Sequence, residues 1–198
     1  MNMRLFLAIN LSVAVKERLA QLQQEIKNSF PMEVSDGVAK WVAPQNFHIT
    51  LLFFGEAGER EIPRLVEIIQ KTVQDQPLLL LKIKNIRYGP TAKLPPQLIW
   101  AEIEKNQALE NIANNLQDDC LGANIGRGAG ERGFVGHITL ARVKEWVWKR
   151  IEPEEQPEIE KELDLKIEVH SIELMESRLK RSGPEYIILQ SFPLLGLD

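Results

Sequence analysis

The order of hydrophobic and polar positions predicts a chain that runs through a strand, a helix, a loop and a strand, and then does so again. Residues 4–9 form an apolar run typical of a buried strand, and Ser12 stands where a helix N-cap is expected. After the helix and a loop, residues 47–54 form an apolar strand that ends at Gly55. The helix is indicated by Val15, Leu19, Leu22 and Ile26.

The second segment repeats this order after a loop rich in proline and glycine at residues 89–96. Residues 98–103 predict a strand, and a helix and a glycine-rich loop then lead to a strand at residues 136–143. Other predicted strands are 78–88, 163–174 and 186–192; the helical stripes are Ile62, Leu65, Val66, Ile69 and Val73, then Leu109, Ile112, Ala113 and Leu116; the loop glycines are Gly122, Gly126, Gly128, Gly130 and Gly133.

Both segments contain the same tetrapeptide, because His48-Ile49-Thr50-Leu51 is identical to His137-Ile138-Thr139-Leu140. Side chains alternate between the two faces of a strand, so each histidine shares a face with its threonine while the aliphatic residues share the other. The repeated order predicts an α+β protein with a pseudo-twofold axis and a sheet in each half. In that arrangement the two motifs converge on one cleft.

Two imidazoles and two hydroxyls in one cleft suit in-line displacement at phosphorus, which needs a base and an acid on opposite walls. An unperturbed histidine has a pKa of about 6.5, so one imidazole can be neutral while its partner is protonated. The hydroxyls of Thr50 and Thr139 can donate to the non-bridging oxygens. Arg142 would lie on the opposite face of a regular strand, and would reach the phosphate only if the strand twists or ends there.

A metal centre is the other chemistry that paired histidines suggest. Catalytic zinc usually takes three protein ligands, and threonine is a poor ligand, so the two motifs supply only two. The third histidine, His170, falls on the polar face of an alternating strand and is expected at the surface. We therefore expect neither a metal nor a cofactor.

Charge and composition narrow the class of protein further. The formal charge of the 198 residues is −4, which argues against a protein that coats nucleic acid by bulk electrostatics. Residues 121–150 are nevertheless strongly basic, and such a surface suits a small anionic ligand or the end of a nucleic acid. The basic residues there are Arg127, Arg132, Arg142, Lys144, Lys149 and Arg150.

The cysteine count and the first residues of the sequence predict the cellular location of the protein. Cys120 is the single cysteine, cannot form an internal disulfide and lies in a helical pattern, so an inert buried thiol is expected. The apolar run near Met1 is interrupted by Asn10 and Ser12 and lacks a clear cleavage site, which favours a strand over a signal peptide. No window is long and apolar enough to cross a bilayer. A cytoplasmic protein, without membrane partners and monomeric, is expected.

The two motifs and their surroundings resemble the 2H phosphoesterase superfamily, and in particular its RNA 2′,3′-cyclic phosphodiesterase (2′-5′ RNA ligase-like) branch. The resemblance covers nearly the whole chain, with one departure at Gly136, where the family commonly has proline. It is carried by Arg4-Leu5-Phe6-Leu7-Ala8-Ile9, Trp41-Val42, Asn46-Phe47-His48-Ile49-Thr50-Leu51, Phe54-Gly55-Glu56, Leu98-Ile99-Trp100-Ala101, Phe134-x-x-His137-Ile138-Thr139-Leu140-Ala141-Arg142 and Tyr186-x-x-Leu189-x-x-Phe192-x-Leu194.

The resemblance implies one bilobal domain over residues 1–198, with antiparallel sheets, helices packed outside them and a central groove between the motifs. It implies metal-independent hydrolysis of RNA 2′,3′-cyclic phosphate ends to 2′-phosphomonoesters. The implied roles are proton donor to the leaving 3′ oxygen for His48, proton acceptor that activates water for His137, phosphate ligands for Thr50 and Thr139, and a phosphate-side cation for Arg142. The residues alone leave the acid and base roles open, because the site is nearly symmetric.

Alternatives remain at the level of sequence. The same cage would serve a small cyclic nucleotide such as ADP-ribose 1″,2″-cyclic phosphate, and a non-catalytic module that binds RNA ends would share the duplicated fold. Any RNA ligation would be the reverse of hydrolysis. ATP-dependent ligation is not expected, because the sequence has no nucleotidyl-accepting lysine motif. Phe6, Phe53 and Trp100 are candidates for stacking on the terminal base, and core packing is the competing expectation for each.

Overall fold

Nine strands form a single antiparallel sheet in the computed structural model, which describes residues 2–91, 94–125, 133–181 and 183–195. In chain order they are β1 Asn2–Asn10, β2 Ala39–Trp41, β3 His48–Gly58, β4 Leu79–Gly89, β5 Leu98–Ile103, β6 His137–Val143, β7 Glu160–Val169, β8 Ser171–Lys180 and β9 Gly183–Pro193. Across the sheet the order is β7-β4-β5-β6-β3-β1-β8-β9, and β2 pairs with β6.

The two halves of the sheet are related in the way that the repeated sequence predicts. One half has the order β3-β1-β8-β9 and the other has the order β6-β5-β4-β7. The halves join where β3 meets β6, and Ile49 opposite Ile138 is the register pair between these two strands. The α+β class and the pseudo-twofold arrangement are confirmed, with the additional finding that the sheets of the two halves are continuous.

The helices are α1 Val13–Asn28, α2 Met32–Ser35, α3 Ile62–Val73, α4 Gln107–Gly122 and α5 Glu145–Trp148, with short 3₁₀ turns at Pro44–Asn46 and Pro153–Glu155. The two equivalent helices, α1 and α4, begin at equivalent caps. The side chain of Ser12 accepts the N–H of Val15, and the side chain of Asn106 accepts the N–H of Leu109. The predicted N-cap at Ser12 is confirmed.

Packing gives the two faces of the sheet different environments. The long helices cover one face, where aliphatic residues such as Leu7, Ile49 and Ile138 are buried in the main core. On the other face, a small cluster of Phe6, Ala8 and Met175 is buried, with Tyr186 packed against it. This second face therefore carries no helix in the part of the chain that the structure describes, and we call its surface around the two motifs the groove.

A β-bulge interrupts the first motif strand just after its threonine. Against β1, the register passes from Thr50 opposite Ala8 to Leu52 opposite Leu7, which leaves Leu51 as the extra residue. A bulge reverses the alternation of side chains beyond it. Leu51 and Leu52 are therefore both buried in succession.

The second motif strand contains the same bulge at the equivalent position. Against β5, the register passes from Thr139 opposite Trp100 to Ala141 opposite Ile99, which leaves Leu140 as the extra residue. The bulge is thus part of the repeated unit, like the tetrapeptide that precedes it.

The prediction of one long strand over residues 163–174 is wrong. The chain is broken at His170, because β7 pairs with β4 in one half of the sheet while β8 pairs with β1 in the other. The alternating pattern continues through the break without a turn residue, so the sequence carries no signal for it.

Several other predictions have outcomes in the fold. Cys120 is buried, and burial raises the pKa of its thiol to about 11, as expected of an inert thiol. Among the described residues, no helix has the length and apolar character needed to span a bilayer. Gly126, Gly128 and Gly130 of the predicted glycine-rich loop, and Arg127 and Arg132, lie outside the described residues.

Gly89, at the end of β4, lies directly beneath the indole ring of Trp100. A β-carbon at Gly89 would lie 2.4 Å from Cε2 of Trp100. We expect Gly89→Ala to lower the free energy of unfolding by about 1–3 kcal/mol, because overpacking displaces the ring or the strand. Urea unfolding would measure this. Gly122→Ala is the control, since nothing lies within 4 Å of its β-carbon; equal stability of both variants would contradict the close packing.

Candidate active site

The four motif side chains lie together on the face of the sheet opposite the helices. Because β3 and β6 are antiparallel and paired at Ile49 and Ile138, His48 lies across from Thr139, and Thr50 lies across from His137. Each imidazole therefore faces a hydroxyl of the other half, and the two imidazoles occupy a diagonal. All four of these polar side chains are half-buried.

The imidazole of His48 is held by a hydrogen bond to a nearby backbone carbonyl and by contacts with two aromatic rings. Its Nδ1 lies 2.7 Å from the carbonyl oxygen of Asn46, and its Nε2 lies 3.0 Å from Oγ1 of Thr50. A carbonyl oxygen only accepts hydrogen bonds, so Nδ1 carries the proton and Nε2 points toward the groove. The ring centroids of Phe6 and Tyr186 each lie 5.2 Å from that of His48.

His137 is anchored in the same way but on different supports. Its Nδ1 lies 2.8 Å from the carbonyl oxygen of Val135, so it too presents Nε2. The ring of Trp100 lies 4.5 Å from the imidazole, centroid to centroid. The guanidinium of Arg87 lies 5.6 Å from the centroid of the Trp100 ring and pairs with Glu102.

The environment of the groove lowers the pKa of both imidazoles. Burial is the main cause at His48, a backbone hydrogen bond opposes it, and the positive charges of Lys16, His137 and Arg142 lower the pKa further. At His137 burial is again the main cause, a backbone hydrogen bond opposes it, and Arg142 adds to the lowering. Arg142 thus acts on both imidazoles, and Lys16 acts on His48.

The bulges bring Arg142 and Phe53 onto the face of the motifs. Arg142 lies opposite Leu98 in a register where Trp100 lies opposite Thr139, so Arg142 shares the face of Thr139. In a regular strand Arg142 would lie on the opposite face, and the bulge at Leu140 is the irregularity that brings it to the face of the motifs. Phe53 occupies the equivalent position in the other half and is 55% exposed, which makes it a groove residue and not a core residue.

The other two candidates for base stacking have different environments. Phe6 is 2% exposed and Trp100 is 3% exposed, so both support an imidazole from within the structure. Core packing, the competing expectation, is confirmed for these two residues.

Sequence reasoning missed the supporting residues of His48. The side chain of Asn46 donates to the carbonyl oxygen of Pro184 at 2.9 Å and so fixes the start of β9, which carries Tyr186. Lys16 donates to the carbonyl oxygen of Gln45 at 3.0 Å, beside the motif. Asn46 and Tyr186 belong to segments that carry the family resemblance, but no role was assigned to either, and Lys16, from a distant segment, gave no signal.

The described residues contain no group of three His, Cys, Asp or Glu side chains suited to holding a metal ion. His170 lies at the break between β7 and β8, with its ring 65% exposed and Nε2 3.5 Å from Glu168. The surface position expected for His170 is confirmed.

A cavity of about 430 Å³ between α3 and α4 is a second place where a ligand could be sought. It lies against the helices, away from the groove, and its charged walls are partly neutralised by the Arg64–Glu67 ion pair. None of the described residues that line it is a histidine, so the paired imidazoles lie in the groove and not here. The lining residues are Arg64, Glu67, Ile68, Lys71, Asp118, Asp119, Gly122 and Ala123.

Two named proteins resemble this chain over nearly its full length. An RNA 2′,3′-cyclic phosphodiesterase of Methanocaldococcus jannaschii is 30% identical over 191 residues, which cover 96% of this chain and 100% of that protein. One of Thermotoga maritima is 28% identical over 191 residues, covering 94% and 93%.

Solved structures match over the same extent. The crystal structure of TT0787 of Thermus thermophilus has a TM-score of 0.78 at 27% identity and covers 98% of this chain and 99% of that one. E. coli LigT complexed with 3′-AMP has a TM-score of 0.78 at 22% identity, with the same coverage, and at that identity the likeness concerns the fold. The sequence profile of the family described as LigT like Phosphoesterase matches residues 9–100 and 102–186. The chain belongs to this family of phosphoesterases.

Proposed function

We propose that this chain hydrolyses the 2′,3′-cyclic phosphate at an RNA end to a 2′-phosphomonoester, without a metal, and that residues 1–198 act as one unit around the groove. The observation that carries the proposal is the pair of imidazoles, each with Nδ1 bonded to a backbone carbonyl and Nε2 directed at the groove. Relatives named RNA 2′,3′-cyclic phosphodiesterase over nearly their full length support the choice of substrate.

The reaction needs one proton removed and one proton supplied. Nε2 of His137 accepts a proton from water, whose oxygen attacks phosphorus and forms the new P–O bond. The bond between phosphorus and the 3′ oxygen breaks on the opposite side, and the imidazolium of His48 gives its proton to that oxygen. The products are a 2′-phosphomonoester and a free 3′ hydroxyl.

This division of roles is the one that the family resemblance implies. The pKa of both imidazoles is lowered, mainly by burial, and Arg142 adds to the lowering at each. The hydroxyls of Thr50 and Thr139 donate to the non-bridging oxygens, and the guanidinium of Arg142 neutralises the charge that develops there. The exposed ring of Phe53 offers a stacking surface for the terminal base.

Loss of either motif histidine tests the reaction and the site together. In EDTA, we expect His48→Ala and His137→Ala each to lower kcat on a short RNA with a 2′,3′-cyclic phosphate end by about 10² to 10⁴, because each removes a proton transfer. Phosphorus NMR would identify the 2′-phosphate product.

His170→Ala is the matched control, since this ring is exposed and lies outside the groove. Binding of the RNA by the wild-type protein without any turnover would indicate a binding module. If ADP-ribose 1″,2″-cyclic phosphate is turned over faster than the RNA, the preferred substrate is a small cyclic nucleotide and the proposed reaction mechanism is unchanged. Activity that requires an added divalent metal would contradict the two-histidine mechanism.

A sulfur substitution separates the acid from the base. When sulfur replaces the 3′ oxygen, the leaving thiolate departs without a proton, so a general acid is no longer needed. We expect this substrate to reduce the defect of His48→Ala to less than about tenfold and to leave the defect of His137→Ala in place. If the sulfur substrate instead restores the activity of His137→Ala, then His137 is the general acid and His48 is the general base.

The pH dependence of kcat/KM tests the position of Arg142. Its positive charge lowers the pKa of both histidines in the free enzyme, so Arg142→Met should raise both values and move the bell-shaped profile to higher pH. The rate should fall by about 10² to 10³, as for loss of one donor to a developing oxyanion. Arg142→Lys keeps the charge and should leave the profile in place; an unmoved profile in Arg142→Met would show that Arg142 lies away from the imidazoles.

A further inference from the structure

The groove has two chemically different ends. The β3–β6 register places Phe53 beyond Thr50 and His137, and it places Arg142 beyond Thr139 and His48. One end is therefore aromatic and the other is positively charged. The repeated strands make the centre of the site nearly symmetric, so this difference gives the groove a direction.

The positively charged end extends beyond Arg142 onto β2. Lys40 lies directly opposite Arg142 in the β2–β6 register, so the two side chains leave the same face of the sheet as neighbours. Cross-strand neighbours have β-carbons about 4.5–5.5 Å apart, and like charges in such a pair are destabilising. Lys16 adds a third cation on the side of His48, where burial lowers the pKa of its ammonium.

The cations at this end of the groove have no carboxylate partner among the described residues. Of the ion pairs formed by the described residues, none includes Lys16, Lys40 or Arg142, although the whole chain has a formal charge of −4. Six other lysines pair with carboxylates, and four exposed ones (Lys71, Lys84, Lys144 and Lys166) form no such pair within the described residues. A second cross-strand pair of like charge, Lys82 opposite Lys166, has Glu104 and Asp164 beside Lys82. Lys40 and Arg142 have no such carboxylate among the described residues and lie beside the imidazoles, which suits a site for an anion.

We propose that this end of the groove binds a second phosphate, the internucleotide phosphodiester on the 5′ side of the terminal nucleotide, and that Lys40 is its main contact. This inference rests on the proposed function and extends it. Arg142 lies next to the reacting phosphate, and Lys40 is one strand further out, at the edge of the sheet where an RNA chain can leave. The preferred substrate is then an oligonucleotide end, and cyclic mononucleotides, which lack this phosphate, are turned over less efficiently.

A cycle of one protein change and one substrate change tests this contact. The substrates are a dinucleotide with a 2′,3′-cyclic phosphate end, and the same molecule with an uncharged methylphosphonate as its internucleotide linkage. We expect Lys40→Met or the methylphosphonate each to lower kcat/KM by about tenfold, mainly through KM. Both changes together should cost no more than either alone.

Salt dependence and matched variants complete the test. For the charged dinucleotide, Lys40→Met should flatten the plot of log(kcat/KM) against log[salt] by about 0.7, the value for one contact with single-stranded nucleic acid. Lys40→Arg should retain most of the wild-type preference for the charged linkage. Lys71→Met, on the exposed surface of α3 across the sheet, should leave both measurements unchanged.

The outcomes distinguish this inference from the proposed function. If Lys40→Met slows the charged and the uncharged dinucleotide by the same factor, the lysine does not contact the internucleotide phosphate and the subsite is overturned. If the wild-type protein hydrolyses neither dinucleotide, the proposed function fails and the subsite fails with it.

Discussion

The arrangement of the groove depends on the pairing of two isoleucines. Ile49 and Ile138 are both fully buried and form the register pair by which β3 and β6 join the halves of the sheet. A slip of one residue would turn each imidazole into the apolar core, at the cost of burying its polar ring nitrogens. The aliphatic positions of the two tetrapeptides therefore fix the geometry of the polar ones, and burial of the two isoleucines holds His48 and His137 on their diagonal.

The sequence was sufficient for the parts of the fold that follow from alternation and helical spacing. The strand at Leu98–Ile103 and the helix after Ser12 appear in the structure as predicted. The face of Arg142 was not predictable, because a bulge at Leu140 is followed by Ala141 and both are apolar. The pattern of residue types is the same with or without the bulge, and only the register against a distant strand reveals it.

The two motif histidines have equivalent backbone contacts, but the side chains that surround them differ. Both imidazoles present Nε2 through the same backbone contact, which a short motif can encode by itself. Their supports come from segments far apart in sequence, phenyl and phenol rings at His48 and an indole backed by an arginine at His137. A duplicated unit supplies two equivalent groups, and the proposed acid–base mechanism needs two different ones, so it depends on the divergence outside the tetrapeptides.

Stability and function make opposite demands at the positively charged end of the groove. Lys40 and Arg142 are cross-strand neighbours of like charge, which costs folding free energy. Residues that break a local rule of stability tend to lie at functional sites, where another interaction provides compensation. A bound polyanion supplies that compensation only while it occupies the groove, because its phosphates screen both cations at once. In the proposed subsite, the repulsion in the free protein is part of the free energy that distinguishes an RNA end from a neutral ligand.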